Sequence, residues 1–147
     1  MSNIKAFLSM ISWCEGTKDK GDDGYNVLVG GELFEGYKDH PRKLIHIPRL
    51  NISSSAAGRY QILERYFDYY KRILKLHDFS PRSQDKIAIR MIREQKAYSN
   101  VQKGLIKLAI HKVNDIWASL PGSPYGQGEK PIEQCLAIYE YYGGKLL

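Results

Sequence analysis

Glu15 is the residue best placed to do chemistry. Ile4, Phe7, Leu8, Ile11 and Cys14 recur at helical spacing, and Glu15 lies eleven positions after Ile4. At roughly 100° per residue, those positions bring Glu15 back to within about 20° of Ile4. Its carboxyl therefore falls on the apolar stripe, not the polar face. It also falls in the last turn, where the helix dipole presents negative charge. Both effects disfavour the ionised form and predict a raised pKa. A carboxylic acid still protonated near neutral pH can protonate a leaving oxygen, the step that general-acid cleavage of a glycosidic bond requires. If the helix frays early, the same side chain reaches water and is an ordinary surface acid.

A hydrolytic version of that chemistry would use a second carboxylate, at roughly 5–9.5 Å depending on stereochemistry. Asp22, Asp23, Glu32, Glu35 and Asp39 are available, although Asp22 and Asp23 read as a solvated turn. Other chemistries fit less well. His40, His46, His77 and His111 are scattered, with no His-Glu-x-x-His pair for zinc. Asp19, Asp23 and Gly24 partly mimic a calcium loop, but Gly21 and Gly30 stand where ligands belong. A cysteine nucleophile is disfavoured because Cys14 lies on the apolar face. No metal and no cofactor is expected.

The elements that must position Glu15 are mostly helical. Ser2 or Asn3 can cap the first helix, and Gly16 is placed to stop it. From Thr17 to Ser55 the chain is rich in Gly, Asp and Pro. There Tyr25–Val29, followed by Gly30-Gly31, reads as a strand and a turn, with Glu32-Leu33-Phe34 as hairpin partner. From Gly58 onward the pattern is helical. Tyr60, Leu63, Phe67, Tyr70 and Leu74 form one stripe, and Ser80-Pro81 opens a helix reaching about Ala97. Ile110, Val113, Trp117 and Leu120 form another stripe, and Pro131 opens the last helix, with Cys135 and Tyr139 on its face and Gly143-Gly144 at its end. The expected fold class is α+β, mostly α: an N-terminal helix, a small β region and a helical bundle, in a single domain spanning 1–147. A cleft between the β region and the helices would suit a ligand.

The net charge of +6 favours anionic partners, whether nucleic acid, membrane or cell wall, without choosing among them. Arg42, Lys43, Arg49, Lys71, Arg72, Lys75, Arg90 and Arg93 could support a non-catalytic basic wall- or nucleic-acid-binding module. They carry no base-reading motif, so nucleic acid is not the expected partner. No signal peptide or membrane-spanning run is legible, which predicts accumulation in the cytosol of the producing cell and no stable membrane insertion. Cys14 and Cys135 are read as free buried thiols, a single bridge being the alternative. The eleven tyrosines are a surplus: they are candidates for lining a sugar or polar-ligand cleft, Tyr25 among them, or serve simply as half-buried core residues.

One family matches these features in order. The helix ending Trp13-Cys14-Glu15-Gly16-Thr17 resembles the catalytic entry of the phage lambda lysozyme family of endolysins. Gly24–Gly31 resembles that family's β segment, and Asp39-His40-Pro41-Arg42-Lys43 follows it. Then come Ala57-Gly58-Arg59-Tyr60-Gln61, Asp78-Phe79-Ser80-Pro81, Ser83-Gln84-Asp85, Ile116–Gly122 and Tyr125-Gly126-Gln127. The resemblance covers the chain from about Ala6 to Gly144. It departs at Cys14, where the family often has Ser, at Asn26, where Asp is expected, and at Ser123-Pro124.

The resemblance implies a lysozyme-like fold and a monomeric lytic transglycosylase acting on peptidoglycan glycan strands. Such an enzyme cuts the β-1,4 bond between N-acetylmuramic acid and N-acetylglucosamine without water, for host cell lysis. Glu15 would act first as acid and then as base, leaving a 1,6-anhydro end. A muramidase with a second carboxylate is the alternative. Gly58, Tyr60 and Gln61 resemble a Gly-x-x-Gln substrate-holding element of related transglycosylases and goose-type lysozymes. A Gly admits close backbone approach and a Gln offers both donor and acceptor, although the same residues could simply start a helix. Tyr125 and Gln127 would also face substrate, with Tyr125 reaching Glu15 or stacking on a sugar. The enzyme would wait in the host cytoplasm and reach the wall through a membrane lesion made by another protein.

Overall fold

In the computed structural model, which describes residues 2–126 and 128–147, the first helix, α1, runs Asn3–Glu15. The Ser2 side chain accepts from the Lys5 backbone N–H, the expected cap. Gly16 closes the helix in the left-handed conformation, φ 80°, and its N–H bonds the Ser12 and Trp13 carbonyls. Ala6, Phe7, Leu8, Met10, Ile11 and Cys14 are buried, so α1 is covered on most of its circumference.

The chain divides into two units, one joining the stretch up to Gly16 with Ala88–Leu147, the other being Thr17–Ile87. The boundary falls inside α3, Pro81–Glu94. In the first unit α1 packs against α4 (Tyr98–Lys103) and α6 (Ile132–Tyr141), and α5 (Ile106–Val113) packs against α4 and α6. Met10, Ile11, Ile92, Ile106, Ile110, Leu120 and Tyr139 are almost fully enclosed. Each such side chain contributes about 1.5–3 kcal/mol by leaving water.

Two expectations need correction in this unit and in α3. The helix opened by Ser80-Pro81 stops at Glu94, where Lys96 turns to φ 59°. A short separate helix, α4, follows. The apolar stripe Ile110–Leu120 is helical only to Val113; beyond it a series of tight turns carries Trp117 and Leu120 into the core. Turn and helix share a spacing of three to four residues, so the stripe could not tell them apart.

The second unit holds the only named strands among the described residues. β1 (Ile45–Ile47) and β2 (Ile52–Ser54) pair antiparallel, with Ile45 opposite Ser54 and Ile47 opposite Ile52. The expected hairpin Tyr25–Phe34 exists only as bridge-level pairing, Val27 with Leu33. Leu28 N–H bonds the Glu32 carbonyl at 2.7 Å and Phe34 N–H bonds the Asn26 carbonyl at 2.9 Å. Gly58 does not start a helix either. Ala57 and Ile62 exchange backbone bonds across a tight turn, and α2 runs Glu64–Leu74. His40, Phe67 and Phe79 cluster in the core, centroids 4.9–5.8 Å apart, with His40 stacked on Phe67 and the two phenyl rings edge to face. His40 Nδ1 accepts from the Arg42 N–H at 3.0 Å, so Nε2 carries the proton toward the Ile62 carbonyl at 2.9 Å. Burial holds this imidazole neutral by lowering its pKa.

Candidate active site

In the first unit the helix end delivers Glu15 to a half-buried position. Ser119 Oγ donates a hydrogen bond to Glu15 Oε2, and the Ser119 backbone N–H also bonds the carboxylate. Ser119 sits on the turn between buried Trp117 and Leu120, and its carbonyl accepts the Lys130 N–H at 2.8 Å. That bond ties two passages of irregular chain beside the carboxyl. The last turn of α1 has no basic residue. Positive charge comes instead from Lys130, whose ammonium lies 5.9 Å from the centroid of the Trp13 ring.

These influences oppose one another. Loss of hydration is the largest and raises the pKa of Glu15; the two Ser119 hydrogen bonds and the Lys130 charge lower it. Desolvation wins, and the carboxyl is pushed up to about 7. A group with that pKa is near half-protonated at neutral pH, so it can give a proton and take one back. Asp23, Asp39, Asp68 and Asp78 are shifted the other way by donors and cations around them.

The candidate second carboxylates are mostly engaged within their own unit. Asp22 accepts from Tyr37 Oη at 2.6 Å, Asp23 from Lys18 Nζ at 2.8 Å, and Asp39 from Arg42 Nε at 2.8 Å. Arg42 also binds Glu64 and Asp68, which makes it a structural hub. Glu32 and Glu35 are exposed.

The second unit gathers Tyr25, Gly58, Tyr60 and Gln61, but mostly into its own interior. Asp85 Oδ1 accepts from Tyr25 Oη at 2.9 Å and from Tyr60 Oη at 2.5 Å. Arg59 Nη1 donates to Tyr60 Oη at 2.9 Å, and its guanidinium lies 5.3 Å from the Tyr25 ring centroid. Tyr60 is fully buried, which corrects its assignment to substrate: its hydroxyl serves an internal network. Gly58 is packed just as closely. It has φ 84°, and a Cβ there would lie 2.3 Å from Gln84 Oε1. The missing side chain makes room for Gln84. Gln84 accepts from the Arg59 N–H and donates to the Tyr25 and Phe79 carbonyls. Gln61 donates to the Val27 and Gly58 carbonyls, and Tyr25 is half-buried.

Tyr125 is 53% exposed and its hydroxyl donates to the Asp115 carbonyl at 2.6 Å. Its expected bond to Glu15 is not made; Ser119 holds that place. Gln127 lies outside the described residues. Sequence reasoning missed Ser119, Lys130, Gln84 and Asp85 as individual residues. Gln84 had a legible signal: it shares a helix face with Ile87, Ala88 and Met91, a polar side chain on an apolar stripe. Lys130 had none, because a lysine before a proline in a loop is ordinary.

The sequence matches the Endolysin family over residues 5–146. It is 48% identical to the endolysin of Escherichia phage lambda over 146 residues, 95% of this chain and 90% of that protein. It is 41% identical to the endolysin of Escherichia phage P2, over 97% of this chain and 93% of that one. Bacteriophage lambda lysozyme in complex with a chitohexasaccharide is similar in structure, with TM-score 0.95 and 44% identity over 100% of this chain and 98% of that chain. Another structure of lysozyme from bacteriophage lambda gives TM-score 0.91 at 43% identity, with the same coverage. The chain belongs to the endolysin family, has the lambda lysozyme fold, and is a phage-type enzyme that degrades peptidoglycan.

Proposed function

We propose that the chain is a lytic transglycosylase for the N-acetylmuramic acid–β-1,4–N-acetylglucosamine bond, with Glu15 as its acid and base. The observation that carries this is the half-buried Glu15 carboxyl, raised to about 7 and held by Ser119. Glu15 gives its proton to the glycosidic oxygen as the bond to the muramoyl C1 breaks. The resulting carboxylate takes the proton of the muramoyl C6 hydroxyl, whose oxygen closes on C1. Glu15 ends protonated again, one product carries a 1,6-anhydro ring, and no water is consumed. Asp22, Asp23 and Asp39 are occupied by Tyr37, Lys18 and Arg42, which favours a scheme with one acid.

A glycan substrate accords with the chitohexasaccharide held by the similar lambda lysozyme. The groups we assign to substrate are the Gln61 side-chain carbonyl, whose amide N–H groups are already turned inward, the partly exposed Tyr25, the exposed Tyr125 and Gln127. The enzyme would gain the wall through a membrane lesion made by a separate protein. No helix among the described residues is long and apolar enough to cross a membrane.

Mass spectrometry of digested wall tests the mechanism. Fragments ending in anhydro-muramic acid are expected. Ordinary reducing ends alone would assign hydrolysis and remove the transglycosylase reading.

A further inference from the structure

Cys14 and Cys135 take no part in the chemistry above, yet they lie in an unusual relation. Cys14 belongs to the last turn of α1 and Cys135 to the first turns of α6. They are 121 positions apart in sequence, and their sulfurs are 3.4 Å apart. Both are free thiols and both are buried.

Other uses of the pair fail. A metal site needs further ligands, and no group of three or more His, Cys, Asp or Glu able to hold an ion occurs among the described residues. A nucleophile for an outside substrate needs an open thiolate; the bond with Cys135, burial and the neighbouring Glu15 push Cys14 up, while Cys135, pushed down by the same bond, is sealed in the core. What remains is the reaction of the two sulfurs with each other.

We propose that Cys14 and Cys135 are a disulfide-forming site that staples α1 to α6 once the protein meets oxidising surroundings. A disulfide bond is about 2.05 Å long, so the sulfurs must close by about 1.4 Å, within reach of a side-chain rotation. The oxidant is a disulfide donor R–S–S–R, small-molecule or protein. One cysteine thiolate attacks it, forming a mixed disulfide and releasing R–S⁻. The second attacks the mixed disulfide, forms the Cys14–Cys135 bond and releases the other R–S⁻. Two thiols lose two protons and two electrons; the donor gains them as two R–SH.

Burial governs when this happens. The donor cannot reach either sulfur in the closed fold, so oxidation proceeds during folding or through local opening. Once made, the bond is sealed from reductants in the same way. A wall-degrading enzyme works outside the reducing cytosol, so it meets the conditions that favour the bond. A link closing so long a loop restricts the unfolded chain more than the native one. It would also fix the helix turn that carries Glu15. The inference does not depend on whether Glu15 acts as lyase or hydrolase.

The test is to refold the reduced chain in a glutathione redox buffer, trap remaining thiols with iodoacetamide and map peptides by mass. A Cys14–Cys135 peptide lacking two hydrogens is expected. The disulfide-to-dithiol ratio should be at least about 100-fold higher under native conditions than in concentrated guanidinium. The oxidised protein should unfold at a higher temperature than the reduced one, and a Cys14→Ser/Cys135→Ser variant should show no such difference. A native ratio no higher than the denatured one, mixed glutathione adducts alone, or an oxidised form that melts lower would each overturn the proposal.

Discussion

Glu15 and Asp85 both accept hydrogen bonds from hydroxyl groups, yet the chain puts them to different use. Asp85 takes two tyrosine hydroxyls on one oxygen, and one of those tyrosines also receives Arg59. Both donors are tyrosines of the same unit and Arg59 braces one of them, so the cluster is a piece of scaffold. Glu15 has the Ser119 hydroxyl and N–H as donors and a cation, Lys130, parked over Trp13. That provision falls short of what loss of water takes away, so its carboxyl stays poised for proton exchange. A carboxyl becomes useful here where its donors fall short of the hydration it has lost.

The largest effect is expected at Glu15. Glu15→Gln should clear a peptidoglycan suspension at least about 1000-fold more slowly, with unchanged circular dichroism. Near-native clearing would move the chemistry elsewhere. The same variant tests the raised pKa through stability. The folded carboxyl holds its proton up to about 7, the unfolded one only to its ordinary value of 4.5. As pH rises between those values the unfolded state sheds a proton that the folded state keeps, so the wild type loses stability. Glu15→Gln should match the wild type near pH 4 and exceed it at pH 8, by on the order of 3 kcal/mol at most. Denaturant titrations at the two pH values measure this.

In the other region, Asp85→Ala should cost about 3 kcal/mol by stranding two tyrosine hydroxyls, lowering the melting temperature by roughly 10 °C. Activity per folded molecule should persist, and its collapse would show that the cluster reaches substrate. Ser119→Ala removes a donor that favours the carboxylate, so the Glu15 pKa should rise. The high-pH limb of the activity profile should then move upward and kcat should fall about tenfold with little change in KM. An unmoved limb would mean that Ser119 does not tune the acid. Tyr125→Phe, losing only a bond to the Asp115 carbonyl, should change activity by about 2-fold or less, measured on the same wall suspension.

The two regions also differed in how far the sequence exposed them. The helix that carries Glu15 was legible because its stripe, its Ser2 cap and its Gly16 stop agree locally. Ser119 was not, since it approaches from 104 positions away along a turn whose spacing imitates a helix. In the second unit the residue types misled. Gly58 and Tyr60 suggested contact with sugar, but their demands come from Gln84 and Asp85, partners more than twenty positions distant. The small sheet was misplaced because Tyr25–Val29 carries the β-prone residues, while the regular pairing formed at Ile45–Ser54 around a Pro48–Asn51 turn. Local preference yielded there to long-range packing.

The support for Glu15 rests on irregular chain, since Ser119 stands on turns secured to the rest by short-range bonds and by Lys130. Such segments open at lower free energy than the helices beneath them. Warming should therefore blunt this enzyme before it melts, with clearing activity fading some degrees below the loss of helicity.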